Sequence, residues 1–158
     1  MKNDQSLREH VVYLLKGDGA HVSLESAVKG MPTDLQGTRP PEAPHSPWEL
    51  LEHMRIAQWD ILEFTRDATH VSPKFPAGYW PKVPAPPDEF AWDKSVAAFR
   101  ADLDAMAAMV ADQSVDLLAP IPHSEGKTVL REALLLADHN VYHLGQLVLV
   151  KCLLGVWD

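Results

Sequence analysis

Residues 134–157 read LLLADHNVYHLGQLVLVKCLLGVW. The run is almost wholly apolar and ends in Gly155, which suits the residue just past a helix C-terminus. Thr128 lies upstream and is a plausible N-cap, so the pattern predicts one long core helix from about Thr128 to Leu154. Two histidines, His139 and His143, interrupt it four positions apart. Residues i and i+4 of a helix lie one above the other, so both imidazoles point the same way, on the face that also carries Leu136 and Leu147. Two buried imidazoles repel when charged and need hydrogen-bond partners when neutral. A divalent metal meets both demands, because neutral imidazole nitrogen is a good ligand for zinc, nickel, iron or copper.

Two ligands make a weak site, and the third is sought on a facing helix. The clearest helix start in the chain is SPWE at 46–49. Ser46 takes the N-cap, Pro47 the first helical position, and Glu49 the third, which together form a capping box. The helix continues through WELLEHMRIAQWDILEFTRD, with Leu50, His53, Met54, Ala57, Ile61 and Phe64 on one face. His53 sits in that apolar stripe and is the third candidate ligand. Three histidines leave coordination positions open, the pattern of a catalytic metal rather than a closed structural one. The opposing reading is that HxxxH arises by chance among eight histidines and that all three are satisfied core residues.

The remaining segments predict an all-α chain. A first helix spans about Asp4 to Lys16, GDGAH interrupts it, and a weaker helical stretch runs from Val22 to Lys29. A third long helix is expected from about Asp88 to Asp112, with Phe90, Val96, Phe99, Leu103, Met106 and Val110 inward. Proline-rich loops fill 32–47 and 71–87, and the aromatics Phe75, Tyr79 and Trp80 suggest that the second packs down on the protein. Four main helices with two long loops predict a four-helix bundle with at least one crossover, in a single domain over residues 1–158.

The net charge of −8 and the absence of a basic stripe disfavour nucleic acid. No apolar run reaches the roughly 18 residues of a membrane span, and the polar, charged MKNDQSLREH is not expected to act as a signal peptide. Cys152 is the single cysteine, expected as a buried, inert thiol, which fits a reducing cytoplasm.

Other residues around the histidines carry weaker expectations. His10, His21, His45, His70 and His123 read as solvated or as loop hydrogen-bonders, with His45 and His123 able to approach the pocket. Glu132 and Asp60 are weak candidates for a general base. Tyr142 is expected to point away from the histidine pair, Gln146 to orient water or, more naturally, to bond a neighbouring helix, and Gly145 to permit close helix approach. The five tryptophans read as core or interface anchors.

SPWELLEHMRIAQWDILEF, followed by KTVLREALLLADHNVYHLGQLVLVKCLLGVW, resembles the DinB-like superfamily, the damage-inducible four-helix group that includes bacillithiol transferases. YWPKVPAPP before the third long helix also fits one subgroup. The resemblance implies one divalent metal on His53, His139 and His143, a long crossover between the second and third bundle helices, and a homodimer. Zinc or nickel is expected first, then iron or manganese. The resemblance gives a site and not a substrate; the first expectation is a metal-dependent hydrolase or thiol S-transferase acting on a small-molecule or thiol substrate, with the metal lowering the pKa of a water or holding a thiol as thiolate. Two other readings stay open: a non-catalytic metal- or ligand-binding stress-response protein, and a metal-free protein that works through its dimer surface.

Overall fold

The computed structural model describes residues 2–17 and 19–157. Asp18, inside the expected GDGAH break, lies outside the described residues, as do Met1 and Asp158. Among the described residues there are five α-helices and no strand: α1 (Lys2–Leu15), α2 (Leu24–Val28), α3 (Pro47–Arg66), α4 (Ala91–Ala111) and α5 (Val129–Leu153). Short 3-10 turns occupy Thr33–Leu35 and Ala77–Tyr79. The all-α expectation therefore holds, and the weak stretch at Val22–Lys29 condenses into the single turn of α2.

The caps are where the sequence places them. The Ser46 hydroxyl accepts from the Glu49 N–H at 3.2 Å, and the Glu49 carboxylate accepts from the Ser46 N–H at 2.8 Å. Two orphan donors of the helix start are thus satisfied reciprocally, with Pro47 where its missing N–H costs nothing. Thr128 caps α5 through a bond from the Arg131 N–H at 3.1 Å.

The core falls into two continuous patches. Leu50, Leu51 and Met54 of α3 meet Trp92, Val96 and Phe99 of α4 and Leu144, Leu147 and Val150 of α5. At the other end, Val11 and Leu15 of α1 meet Leu62 of α3, Met106 and Val110 of α4, and Ala133, Leu136 and Ala137 of α5. α3 and α4 therefore contribute their N-terminal halves to the same patch, and α5 its C-terminal half. Arg8 ties α1 to the end of α4, its guanidinium donating to the carbonyls of Val110, Asp112 and Val115 at 2.8–2.9 Å. Val110 lies in the last turn of α4 and Asp112 is its C-cap, where carbonyls lack intrahelical partners, and a cation suits that end of the helix dipole.

The two proline-rich loops fold over the start of α3. The Trp48 N–H donates to Gln36 O at 2.8 Å, and the Ser46 hydroxyl donates to Pro84 O at 2.5 Å. Gly37 lies flat against Ala85, where any Cβ would overlap it. This packing sets the second loop above His53.

Several expectations need correction. α4 begins at Ala91, not Asp88, and Phe90 is its N-cap with 59% exposure instead of an inward core residue. Phe75 is 82% exposed, so only Tyr79 and Trp80 of the loop aromatics pack down. Cys152 is exposed, not buried. It lies nine residues past His143, which at 100° per residue is half a turn away from the core face. Gly145 is exposed, and a Cβ there would meet nothing within 4 Å, so no close helix approach depends on it.

Candidate metal centre

The helical registers of α3 and α5 bring the three predicted histidines together. His53 Nε2 lies 3.1 Å from His143 Nε2 and 3.1 Å from His139 Nε2. One nitrogen from each ring falls within 4.8 Å of the others, and this is the only such His, Cys, Asp or Glu group among the described residues. His53 and His143 are buried and His139 is half-buried.

The outer nitrogens decide what the inner ones can do. His53 Nδ1 is 2.8 Å from the Tyr79 carbonyl, which can only accept, so Nδ1 carries the proton and Nε2 keeps its lone pair. His143 Nδ1 donates to Gln146 Oε1 at 2.7 Å, which leaves its Nε2 in the same state. The close His53–His143 contact thus sets two lone pairs face to face, an arrangement that asks for a cation between them. His139 Nδ1 is buried without a partner, so nothing ties down that ring's tautomer.

A proton is a poor candidate for that cation. Burial pushes all three imidazoles below their ordinary pKa, and repulsion from neighbouring imidazoles adds to it, from His45 in the case of His53; His139 and His143 go down to about 4. A metal ion fits better. Zinc–nitrogen bonds of 2.0–2.1 Å place two tetrahedral ligands about 3.3 Å apart, close to the observed contacts. The three residues could therefore hold one metal ion.

The depressed pKa values predict an acid sensitivity of the metal-free protein. In the unfolded chain His139 and His143 take up protons near pH 6.5 and in the folded one only near 4, so their contribution to stability is complete above 6.5 and is lost as pH falls towards 4. Allowing for solvent screening at the partly open site, the loss is on the order of 3 kcal/mol. Chemical denaturation of chelator-treated protein between pH 7 and 4 should show the decline beginning above the range in which carboxylates titrate. A flat profile down to pH 5 would contradict it.

Around the cluster, the structure places the other candidates. Trp80 lies parallel on the His53 ring, 3.9 Å between centroids and 2° between planes, and His45 stacks on the other side of Trp80 at 4.0 Å. Of the two loop histidines expected near the pocket, His45 reaches it, whereas His123 bonds Phe64 O at 2.6 Å. Gln146 serves His143 rather than a neighbouring helix. Tyr142 is mostly exposed, yet its ring edge meets His143 at 4.8 Å instead of pointing clear of it. Glu132 is buried and paired with Arg131 at 2.6 Å, and Asp60 accepts from His70 Nε2 at 2.7 Å and from the Tyr79 hydroxyl at 2.6 Å. Both carboxylates considered as bases are thus already engaged. Sequence reasoning missed Trp80 as a cover of His53, and the Asp60–Tyr79 link beneath it. The signal was there only as aromatics in a proline-rich loop.

A profile of the DinB superfamily matches residues 18–147, a span that contains all three histidines. The chain belongs to the DinB superfamily. No curated protein and no solved structure matches it. No helix among the described residues is long and apolar enough to cross a membrane.

Proposed function

We propose that His53, His139 and His143 hold one divalent transition ion, zinc or nickel ahead of iron or manganese, and that the protein is a metal-dependent hydrolase or thiol S-transferase. The observation that carries this reading is the pair of 3.1 Å Nε2 contacts at His53, with the lone pairs of His53 and His143 turned inward by the Tyr79 carbonyl and the Gln146 amide. A bound ion supplies Lewis acidity towards an oxygen or sulfur donor. The chain's own residues do the rest. Tyr79 and Gln146 fix two ring orientations, as partners of metal-binding imidazoles commonly do. Trp80 covers the face of His53 and keeps water from it. Gln146 keeps its amide N–H groups free of other described partners, available to a polar substrate atom.

The same reading takes residues 1–158 as one four-helix-bundle domain built from α1, α3, α4 and α5, with 67–90 as the crossover. The shared use of N-terminal halves by α3 and α4 in one core patch supports it, because that arrangement needs a return connection. A homodimer in the cytoplasm completes the proposal; the dimer rests on the family resemblance and the compartment on the single cysteine, Cys152.

One observation favours a second reading, a non-catalytic protein that binds a metal and a small ligand: Asp60 and Glu132, the two carboxylates considered as bases, are both occupied. Elemental analysis of untagged protein tests the common premise. About one equivalent of transition metal is expected. None, even after incubation with zinc, nickel and manganese followed by desalting, would overturn the metal reading. A substrate screen with loaded protein then separates the two, by turnover on one side and ligand-dependent thermal shifts without turnover on the other.

A further inference from the structure

An apolar pocket of about 340 Å³ opens beside the histidine cluster. Pro44 from the loop before α3 and Leu50 of α3 line one side, and Leu149 and Leu153 of α5 the other. Two further lining residues, Gln146 and His45, also touch the cluster's surroundings. Gln146 accepts from His143 Nδ1 at 2.7 Å, and His45 stacks on the Trp80 ring that covers His53. Pocket and cluster therefore share a wall.

The spacing on α5 explains the shape. Gln146, Leu149, Val150 and Leu153 follow at i, i+3, i+4 and i+7, one stripe facing the loop at 41–45. Leu149 and Leu153 remain 58% and 56% exposed, so this wall is apolar and still in contact with water. Covering it with an apolar group is favourable. No Lys or Arg lines the pocket and Glu42 stands at its edge, which leaves an anion without a partner. The volume is at the lower end of the roughly 300–1,000 Å³ of small-molecule sites, too small for a large cofactor. Leu149, Val150 and Leu153 also lie beyond the residues matched by the DinB superfamily profile, so the family match does not assign this wall.

We propose that this pocket takes the apolar arm, a short uncharged alkyl or aryl group, of a small substrate whose polar end meets Gln146 and the histidine cluster. The assignment of the arm to a substrate rests on reading the cluster as the reactive centre. Linear alcohols from butanol to octanol are suitable probes, titrated by calorimetry into metal-loaded and metal-free protein. Affinity should rise about three- to fourfold per methylene until the pocket is full. Leu149→Glu and Leu153→Glu change exposed positions, so both should fold and keep the parent's metal content while losing the dependence on chain length. Affinity that does not vary with chain length, or a variation unchanged in both variants, would overturn the pocket. So would sedimentation showing a parent dimer that excludes the alcohols and that Leu149→Glu splits, because the face would then belong to a second copy. Metal content, measured on the same samples, keeps the two readings apart. Bound metal with no chain-length effect removes the pocket alone, and a chain-length effect without metal removes the metal reading alone.

Discussion

His139→Ala is expected to lower affinity for zinc by a hundred- to a thousandfold while leaving the metal-free fold intact. The magnitude follows from sharing the roughly 10–16 kcal/mol of a four-ligand zinc site among its ligands. No second cluster of three such donors occurs among the described residues to take the ion instead. His139 is also the cleanest of the three to remove. His53 carries the Trp80 stack and the Tyr79 bond, and His143 carries the Gln146 bond, so truncating either disturbs packing as well as coordination. His139 is half-buried, and its Nδ1 has no partner to lose. Alanine there removes a buried unpaired nitrogen and one member of a crowded imidazole trio. The thermal midpoint in the presence of chelator should therefore match or exceed the parent's, while the zinc-induced rise in midpoint disappears. A competition titration against a chromophoric chelator gives the affinity directly. Parent-like affinity in the variant would mean that His139 is not a ligand.

Why these three positions were legible, and their surroundings were not, is a matter of range. The capping box at Ser46 and Glu49 and the cap at Thr128 act within one turn, so residue types alone locate the helix starts. Once the starts are set, helical periodicity puts His53 between Leu50 and Ala57, and His139 and His143 between Leu136 and Leu147, on faces that must meet in a common core. The cover of the site is another matter. Trp80 reaches His53 across 27 residues, through a segment with no period, and the Tyr79 and His70 contacts with α3 likewise depend on how prolines turn the chain. Phe90 was misread for a related reason. Its apolar character matches the stripe of α4, but the helix begins one residue later, and a cap residue does not follow the helical register. Gln146 was misassigned because a side chain three residues past His143 can reach that ring locally, and the local bond competes with any bond to another helix.

Asp60→Asn is expected to weaken metal binding by about ten- to a hundredfold although Asp60 touches none of the three histidines. Asp60 is buried on α3 and accepts two hydrogen bonds, from His70 Nε2 and from the Tyr79 hydroxyl. Burial, with Asp60 beside it, raises the Tyr79 hydroxyl to about 12, so it stays a donor at neutral pH. The same residue turns its backbone carbonyl to His53 Nδ1, and Trp80, the next residue, lies flat on the His53 ring. Asp60 is therefore a positioning residue: it holds the 3-10 turn at Ala77–Tyr79 down on α3, and the turn holds the His53 proton on Nδ1. An amide at position 60 offers a single acceptor oxygen and brings two N–H donors to a place where two donors already converge. At least one of these donors is then left poorly satisfied, at a cost of about 1–3 kcal/mol. A merely structural role would lower stability alone. Positioning further requires that the His53 Nδ1–H resonance in the parent exchange slowly with solvent and that it exchange faster in the variant, along with the drop in affinity. Tyr79→Phe is the graded companion, since it removes the hydroxyl but keeps the carbonyl, and should lie between parent and Asp60→Asn. If Asp60→Asn melts earlier yet binds zinc like the parent, with the His53 proton equally protected, then the carbonyl is held by the loop packing at Gly37, Ser46 and Pro84, and Asp60 contributes only to the fold.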